Sequence, residues 1–214
     1  MIDRERSWLE SDVVMNEIQS AGQPNCSCLH TSFLVQEAVA YNLNRGNSVY
    51  GTILDTRKAF DSVWIKGLLY KLWRYGINSV FWKLLKSGFT DFMCTAFVSG
   101  MSGEWFNPKC GIPQGSPLSM CLYTMYINEL ITELKSSGYG ICFCRVNVTS
   151  PAHADDIALM SLFKRSMNGL LSIAHAYSLK WRYTFNTSKT ELMIWGVDSQ
   201  PELEVIFSNT SVCH

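Results

Sequence analysis

The chain has 214 residues, of which 47% are hydrophobic, 13% aromatic and 17% charged. This length and composition suffice for one well-buried domain and argue against a disordered protein. Lys plus Arg and Asp plus Glu each number 18, so the net charge is zero. A long charge-free stretch, residues 110–128, is interrupted by Pro, Gly and polar residues, which argues against a membrane span.

The N-terminal sequence and the cysteines indicate a reducing compartment. The first twenty residues contain five acidic side chains and no apolar core, unlike a secretory signal. Eight cysteines in a chain without such a signal favour free thiols over disulfides. We therefore expect an intracellular protein of the cytoplasm or nucleus, which is not secreted and has no membrane partner.

Hydrophobic spacing predicts the elements in chain order. Helical periodicity occurs over residues 29–43, 65–75, 80–86, 118–134 and 167–181. Strand-forming residues occur over 48–54, in a pair at 94–98 and 104–106, in two tightly connected strands at 141–148 and 157–160, and at 192–195. Elements that do not alternate regularly predict an α+β fold, an antiparallel sheet with helices packed on one face.

Charge is unevenly distributed along the chain. Residues 56–109 hold 8 basic and 3 acidic side chains, a net charge of +5. Such a region fits a surface that faces a polyanion, and it equally fits the solvated face of helices.

Three aspartates lie at predicted strand ends. Asp55 follows the strand 48–54, and Asp155 and Asp156 stand together in the turn before 157–160. Adjacent carboxylates beside a buried strand repel each other, and a divalent cation removes that penalty. If Asp55 and Asp155 converge, they can hold two ions for phosphoryl transfer. Aspartate also favours turns for purely structural reasons, so both interpretations stay open here.

A loop rich in Gly and Pro, residues 111–119, precedes the longest predicted helix. Such a loop lets the backbone approach a ligand, and the start of a helix favours phosphate. Gln114 offers an amide that can bond a base or a sugar. An ordinary helix entry with Pro117 in the first turn explains the same residues.

Taken in order, four segments resemble the palm motifs of reverse transcriptases, most closely those of non-LTR (LINE-like) retrotransposons. Residues 54–64 resemble a strand that ends in D-x-x-K-A-F-D-x-V. Residues 111–119 resemble G-x-x-Q-G-x-x-L-S, residues 153–156 resemble the Y-A-D-D hairpin, and residues 186–191 resemble N-x-x-K-T-E. The resemblance extends upstream to Gln19, near the end of the fingers region.

This resemblance implies two-metal-ion catalysis. Asp55 and Asp155 would bind two Mg²⁺ ions, for which Mn²⁺ is an alternative. The backbone carbonyl of Thr56 would be a further ligand, and Asp156 would add charge and a secondary metal contact. All three aspartates are therefore expected to be catalytic.

The resemblance also implies six substrate-binding residues: Lys58, Phe60, Gln114, Gly115, His153 and Lys189. Phe60 would lie under the sugar and exclude a 2′-hydroxyl. Gln114 and Gly115 would line the nucleotide and template pocket, Lys58 would lie near the triphosphate, and Lys189 near the departing pyrophosphate.

One motif position departs from the family, since His153 replaces the usual Tyr that supports the primer terminus. The expected division is a partial fingers region at 1–47, a palm at 48–196, and a tail at 197–214 that leads towards a thumb the chain lacks. The rest of a retrotransposon polyprotein is expected to be missing.

The predicted activity is that of an RNA-directed DNA polymerase, which uses an RNA or DNA template, a DNA primer and dNTPs. The main alternative is an inactive retrotransposon remnant with weak nucleic-acid binding or an interaction role. A second alternative is another phosphoryl-transfer enzyme with a palm-like fold, such as a nucleotide cyclase, which shares the two metal-binding strands. A cyclase has no template to position, so Gln114 in its Gly- and Pro-rich loop disfavours this alternative.

Overall fold

The computed structural model describes residues 15–196 and two short strands at 205–207 and 210–212. Helices in this part are α1 (Cys28–Leu43), α2 (Ala59–Ser62), α3 (Ile65–Arg74), α4 (Val80–Thr90), α5 (Pro117–Ser136) and α6 (Lys164–Trp181). Strands are β1 (Val49–Leu54), β2 (Phe97–Val98), β3 (Met101–Ser102), β4 (Cys142–Phe143), β5 (Val146–Asn147), β6 (Ala152–His153), β7 (Asp156–Ser161), β8 (Glu191–Trp195), β9 (Val205–Phe207) and β10 (Thr210–Val212). The helices predicted from periodicity are all present, some longer by a turn at one end.

The main sheet has the strand order β6-β7-β1-β8, and every pairing in it is antiparallel. Because side chains alternate along a strand, Leu54, Ile157 and Leu192 face the large core that α5 and α6 complete. The α+β class predicted from the sequence is confirmed.

Helices contact both faces of this sheet, which corrects the expectation that they cover one face alone. On the second face, Val49 and Met160 pack against Ala38 and Val39 of α1 in a smaller core. The rest of that face forms one wall of a groove of about 820 Å³ between α1 and the sheet. Sequence periodicity identified α1 as a helix but carried no signal for the face of the sheet that it covers.

Residues 141–148 do not form the single strand that their composition predicts. They fold back as the hairpin β4–β5, in which Cys142 pairs with Asn147. Cys144 in its turn has φ +54°, a left-handed conformation that a residue other than glycine rarely adopts and that composition does not reveal. In the 94–106 hairpin, the strands lie closer to the turn than predicted and include Met101.

Residues 15–47 pack directly on the sheet, so the core is continuous across the predicted boundary at residue 47. The division into fingers, palm and tail stays a prediction, and most of the tail lies outside the described residues. Seven cysteines in the described part are free thiols. No helix among these residues is long and apolar enough to span a membrane.

Candidate active site

The predicted aspartates meet at one end of the two central strands. Leu54 at the end of β1 lies opposite Ile157 in β7. One further step along each strand brings Asp55 beside Asp156, because neighbouring strands run about 4.8 Å apart. Asp155 lies in the turn of the β6–β7 hairpin, directly before Asp156.

The charges at this end of the sheet repel one another. Burial raises the pKa of the Asp155 carboxyl, and the neighbouring carboxylates of Asp156 and Asp55 raise it further. A hydrogen bond from its own backbone amide and the charge of His153 act in the opposite direction on this pKa. Within the described residues, no group of three or more His, Cys, Asp or Glu is arranged to hold a metal ion. The three carboxylates therefore interact electrostatically without forming a compact group of three metal ligands.

Lys189 reaches the first of these carboxylates. Its Nζ lies 3.5 Å from Asp55 Oδ2, and the lysine side chain is mostly exposed. The lysine is brought there by the strand-like approach of residues 184–186 to the end of β1, where Asn186 N donates to the Asp55 carbonyl. Thr56 is thereby paired with Phe185. The two backbone hydrogen bonds of this pairing run from Asn186 N to the Asp55 carbonyl and from Arg57 N to the Thr184 carbonyl, so they do not use the Thr56 carbonyl, the predicted metal ligand.

Phe60 lies on a tyrosine that the sequence did not single out. The rings of Phe60 and Tyr123 stack with their centroids 5.2 Å apart and an interplanar angle of 28°. Complete burial raises the pKa of Tyr123, and a side-chain hydrogen bond with Thr56 partly opposes that rise. Tyr123 therefore contacts two predicted site residues, Phe60 and Thr56. No spacing signal in the sequence predicted these contacts.

The Gly- and Pro-rich loop is attached to the segment after β1. Gly111 N donates to the Val63 carbonyl and Ile112 N to the Phe60 carbonyl, both at 2.9 Å. Gly111 has φ +96°, and a Cβ at this position would lie 3.3 Å from the carbonyl oxygen of Asp61. Glycine therefore permits this close approach.

Two predicted pocket residues, Gln114 and Gly115, are exposed in this loop. Gln114 Nε2 donates to Asp61 Oδ1 at 2.9 Å, which holds the amide over the segment that follows β1. Lys58 is also exposed, with φ +47° at the start of α2. The structure thus places Lys58, Phe60, Gln114 and Gly115 along one connected segment and loop.

His153 lies in β6, where it pairs with Asp156 of β7. Its Nδ1 lies 2.8 Å from Ser20 Oγ, within hydrogen-bond distance. His153 and Asp156 also line the groove between α1 and the sheet. The groove therefore borders the hairpin that carries the aspartates.

An antiparallel sheet with aspartates at the ends of its central strands, backed by helices, defines a polymerase palm. The chain matches the family model described as reverse transcriptase (RNA-dependent DNA polymerase) over residues 7–207. The chain belongs to the reverse transcriptase family.

Curated relatives agree with this assignment. The chain is 28% identical over 146 residues to a retrovirus-related Pol polyprotein from the type-1 retrotransposable element R2 of Popillia japonica, a match that covers 68% of this chain and 24% of the relative. It is 25% identical over 142 residues to the RNA-directed DNA polymerase from the mobile element jockey of Drosophila funebris, covering 64% and 15%. The predicted resemblance to non-LTR retrotransposon reverse transcriptases is confirmed, and the chain spans about a quarter or less of these relatives.

Solved structures share the fold at low sequence identity. Telomerase from Candida albicans, in complex with the TWJ fragment of telomeric RNA, superposes with a TM-score of 0.66 at 11% identity, covering 98% of this chain and 35% of that chain. Apo telomerase from Candida tropicalis gives a TM-score of 0.63 at 12% identity, covering 90% and 35%.

Proposed function

We propose that this chain is the catalytic palm, with part of the fingers, of an RNA-directed DNA polymerase from a retrotransposon polyprotein. The reaction transfers a deoxynucleotide to a primer 3′-hydroxyl on a template and releases pyrophosphate. The observation that carries this proposal is the register of β1 and β7, which sets Asp55 beside the hairpin that holds Asp155 and Asp156. Membership of the family supports the same activity.

The carboxylates fit a magnesium site. Mg²⁺ uses one or two protein carboxylates together with substrate phosphates and water, so a compact protein cage is not required. We propose that Asp55 and Asp155 hold two Mg²⁺ or Mn²⁺ ions, with the Thr56 carbonyl and Asp156 as further contacts. When bound, such ions supply an activated 3′-hydroxyl and neutralise phosphate charge. Burial, together with repulsion by Asp156 and Asp55, raises the pKa of Asp155, and a bound cation removes such a penalty on the charged form.

The remaining residues bind and orient the substrates. Phe60, held by Tyr123, lies under the deoxyribose, and Lys58 lies near the triphosphate. Gln114, oriented by Asp61, and Gly115 line the template and nucleotide pocket. Lys189 is close enough to Asp55 to meet the departing pyrophosphate, and His153 supports the primer terminus.

The proposed partners are an RNA or DNA template, a DNA primer and dNTPs. The chain spans about a quarter or less of its curated relatives, so the rest of the polyprotein would supply further nucleic-acid contacts. An intracellular location, in the cytoplasm or nucleus, stays a prediction.

Primer extension tests the activity. Purified chain receives a primed RNA template, dNTPs and Mg²⁺, beside the variants Asp155→Asn and, as a control, Asp91→Asn. We expect Asp155→Asn to lower extension by about 10³-fold or more, as loss of a catalytic group does, while Asp91→Asn retains it. Because Asp155 is half-buried beside like charges, its neutral variant should melt no earlier than the wild type.

Two other outcomes have distinct meanings. Binding of the primed template without extension by the wild-type chain would favour the inactive remnant. Equal extension by wild type and Asp155→Asn would refute the proposed site while leaving the family assignment intact.

A further inference from the structure

A short segment before α1, residues 18–21, runs along the edge of the β6–β7 hairpin, whose turn contains Asp155. We call it the brace segment. Ser20 N donates to the Ala152 carbonyl, and Ala152 N donates to the Ile18 carbonyl, both at 2.9 Å. Residue 19 therefore forms a parallel bridge with Ala152 of β6. The brace segment therefore pairs with the outer edge of β6 through these two backbone hydrogen bonds.

The side chain of Gln19 reaches from this segment into the turn of the hairpin. Its Oε1 accepts hydrogen bonds from Ala154 N and Ala21 N, each at 3.0 Å. Its Nε2 donates to the Ala154 carbonyl at 3.3 Å. Gln19 is only 1% exposed, so water does not compete strongly for these bonds. One buried amide thus holds both polar backbone groups of a residue 135 positions away.

The residue that Gln19 holds has an unfavourable backbone conformation. Ala154 has φ +56°, in the left-handed region. This conformation costs a residue with a side chain about 1–2 kcal/mol, so the surroundings must stabilise it. Ala154 is followed directly by Asp155, and its conformation sets the direction in which the Asp155 side chain leaves the turn. The bonds of Gln19 therefore act on the carboxylate through one peptide unit.

The next residue of the brace segment fixes the other side of the turn. Ser20 Oγ lies 2.8 Å from His153 Nδ1 and 2.6 Å from Thr31 Oγ1 of α1. The brace segment thus contacts the residues immediately before and within the turn, and it joins them to α1.

We propose that Gln19 is a positioning residue of the active site, which keeps Ala154 left-handed and thereby aims Asp155 at the metal and primer. The catalytic consequence rests on the proposed function, whereas the hold on Ala154 does not. A buried glutamine that served only to stabilise the core would affect global unfolding without acting on this turn in particular.

The test compares two buried amides of similar size. Gln19→Met removes the hydrogen bonds and keeps the volume. Asn42→Leu is the matched control, because Asn42 is 5% exposed and its amide bonds the carbonyls of Ala38 and Cys142 away from the turn. Amide hydrogen exchange is followed at Ala154, and Mn²⁺ binding is titrated by electron paramagnetic resonance.

We expect Gln19→Met to reduce protection of the Ala154 amide at least tenfold relative to core amides and to weaken Mn²⁺ binding about tenfold, the effect typical of a lost outer-shell contact. Asn42→Leu should leave both unchanged relative to global stability. Adding Ala154→Gly to Gln19→Met should recover Mn²⁺ affinity at least threefold, because glycine adopts positive φ without the steric cost. A purely structural role predicts no such rescue.

Several results would overturn the proposal. Equal loosening of the Ala154 amide by both variants is one, and unchanged Mn²⁺ affinity in Gln19→Met is another. If Gln19→Met does not fold, hydrogen exchange in the wild-type chain still tests the proposal. An Ala154 amide that exchanges as fast as the exposed turn amide of Gly100 would show that Gln19 does not hold Ala154 in place. If the wild-type chain binds no Mn²⁺, the proposed metal site fails, while the exchange data still report on Gln19.

Discussion

Lys189 and a metal ion would compete for the same carboxylate, Asp55. The ammonium lies 3.5 Å from Asp55 Oδ2 on a mostly exposed side chain, and exposed ion pairs of this kind contribute about 0–1 kcal/mol. We therefore expect Lys189→Ala to strengthen Mn²⁺ binding by roughly two- to fivefold, measured by paramagnetic resonance titration. Arg165→Ala, which removes an exposed cation from the first turn of α6, should leave the affinity unchanged. Weaker binding by Lys189→Ala would mean that the lysine does not oppose the metal.

The stacking of Tyr123 under Phe60 predicts an effect on sugar selection. Tyr123→Leu removes the ring that supports Phe60, whereas Tyr123→Phe keeps the ring and loses only the hydroxyl. Because such ring pairs contribute about 0.5–1.5 kcal/mol, Tyr123→Leu should lower the preference for dNTPs over rNTPs by roughly two- to tenfold. The ratio of kcat/KM for the two substrates measures this preference. A similar loss in Tyr123→Phe would assign the effect to the bond with Thr56 instead.

The sequence pointed to the candidate catalytic aspartates but not to the side chains that pack around the candidate site. Asp55, Asp155 and Asp156 were predicted because the segments that contain them occur in the order of the reverse transcriptase motifs, whereas aspartates near strand ends alone left a structural explanation open. Tyr123 contacts Phe60, which is 63 positions away in the sequence, and Gln19 contacts Ala154, which is 135 positions away. Nothing in local spacing or composition encodes such partners, since they arise only when the sheet and its hairpin are assembled.

At the level of elements, strand β1 is crowded at Gly51, on the face of the sheet towards α1. A Cβ at Gly51 would lie 2.6 Å from Cζ3 of Trp195 on the neighbouring strand β8. Gly51→Ala should therefore displace the indole and lower the free energy of unfolding by about 1–3 kcal/mol, measured by urea denaturation. Gly88→Ala in α4 is the control, because a Cβ there meets nothing within 4 Å and should stabilise the helix by about 0.5–1 kcal/mol. Equal effects would show that Trp195 moves aside at no cost.

Helices were easier to predict than strands for a physical reason. The stripes of α5 and α6 repeat over several turns, so a few polar positions do not obscure them. The strands β4 and β5 have two residues each, and a left-handed residue at Cys144 divides a stretch whose composition reads as continuous. Strand pairing is decided by contacts distant in sequence, so the register that joins β1 to β7 was available only from the structure.

At the scale of the whole molecule, a buried lysine joins three helices. Lys71 of α3 has no exposed surface, and its Nζ bonds the Tyr126 carbonyl of α5 and the Tyr177 hydroxyl of α6. The ammonium lies 3.9 Å from the ring centroid of Trp181 and 3.1 Å from Glu129 Oε2. Desolvation by burial nevertheless lowers the pKa of Lys71 to about 8, against the opposing attraction of Glu129.

This lysine predicts a stability that increases with pH in the alkaline range. The folded pKa of about 8 lies below the ordinary value of 10.5, so between these values the unfolded chain binds more protons than the folded one. Relative to a chain without this ammonium, the free energy of unfolding should therefore rise by roughly 2 kcal/mol from pH 8 to pH 10. Burial raises the pKa values of five tyrosines above their ordinary value of 10.0, so ionisation of these tyrosines in the unfolded chain opposes the rise as the pH approaches 10; they are Tyr75, Tyr123, Tyr126, Tyr177 and Tyr183.

Urea denaturation at pH 7, 8, 9 and 10 measures this rise for the wild-type chain and for Lys71→Met. The variant has no ammonium to discharge, so its curve should lack the rise, and subtraction removes the contribution of thiols that titrate in both proteins. Lys66→Met removes an exposed charge from the same helix and should keep the wild-type slope. Parallel curves for the wild type and Lys71→Met would mean that the three helices hold Lys71 without the desolvation cost that its burial implies.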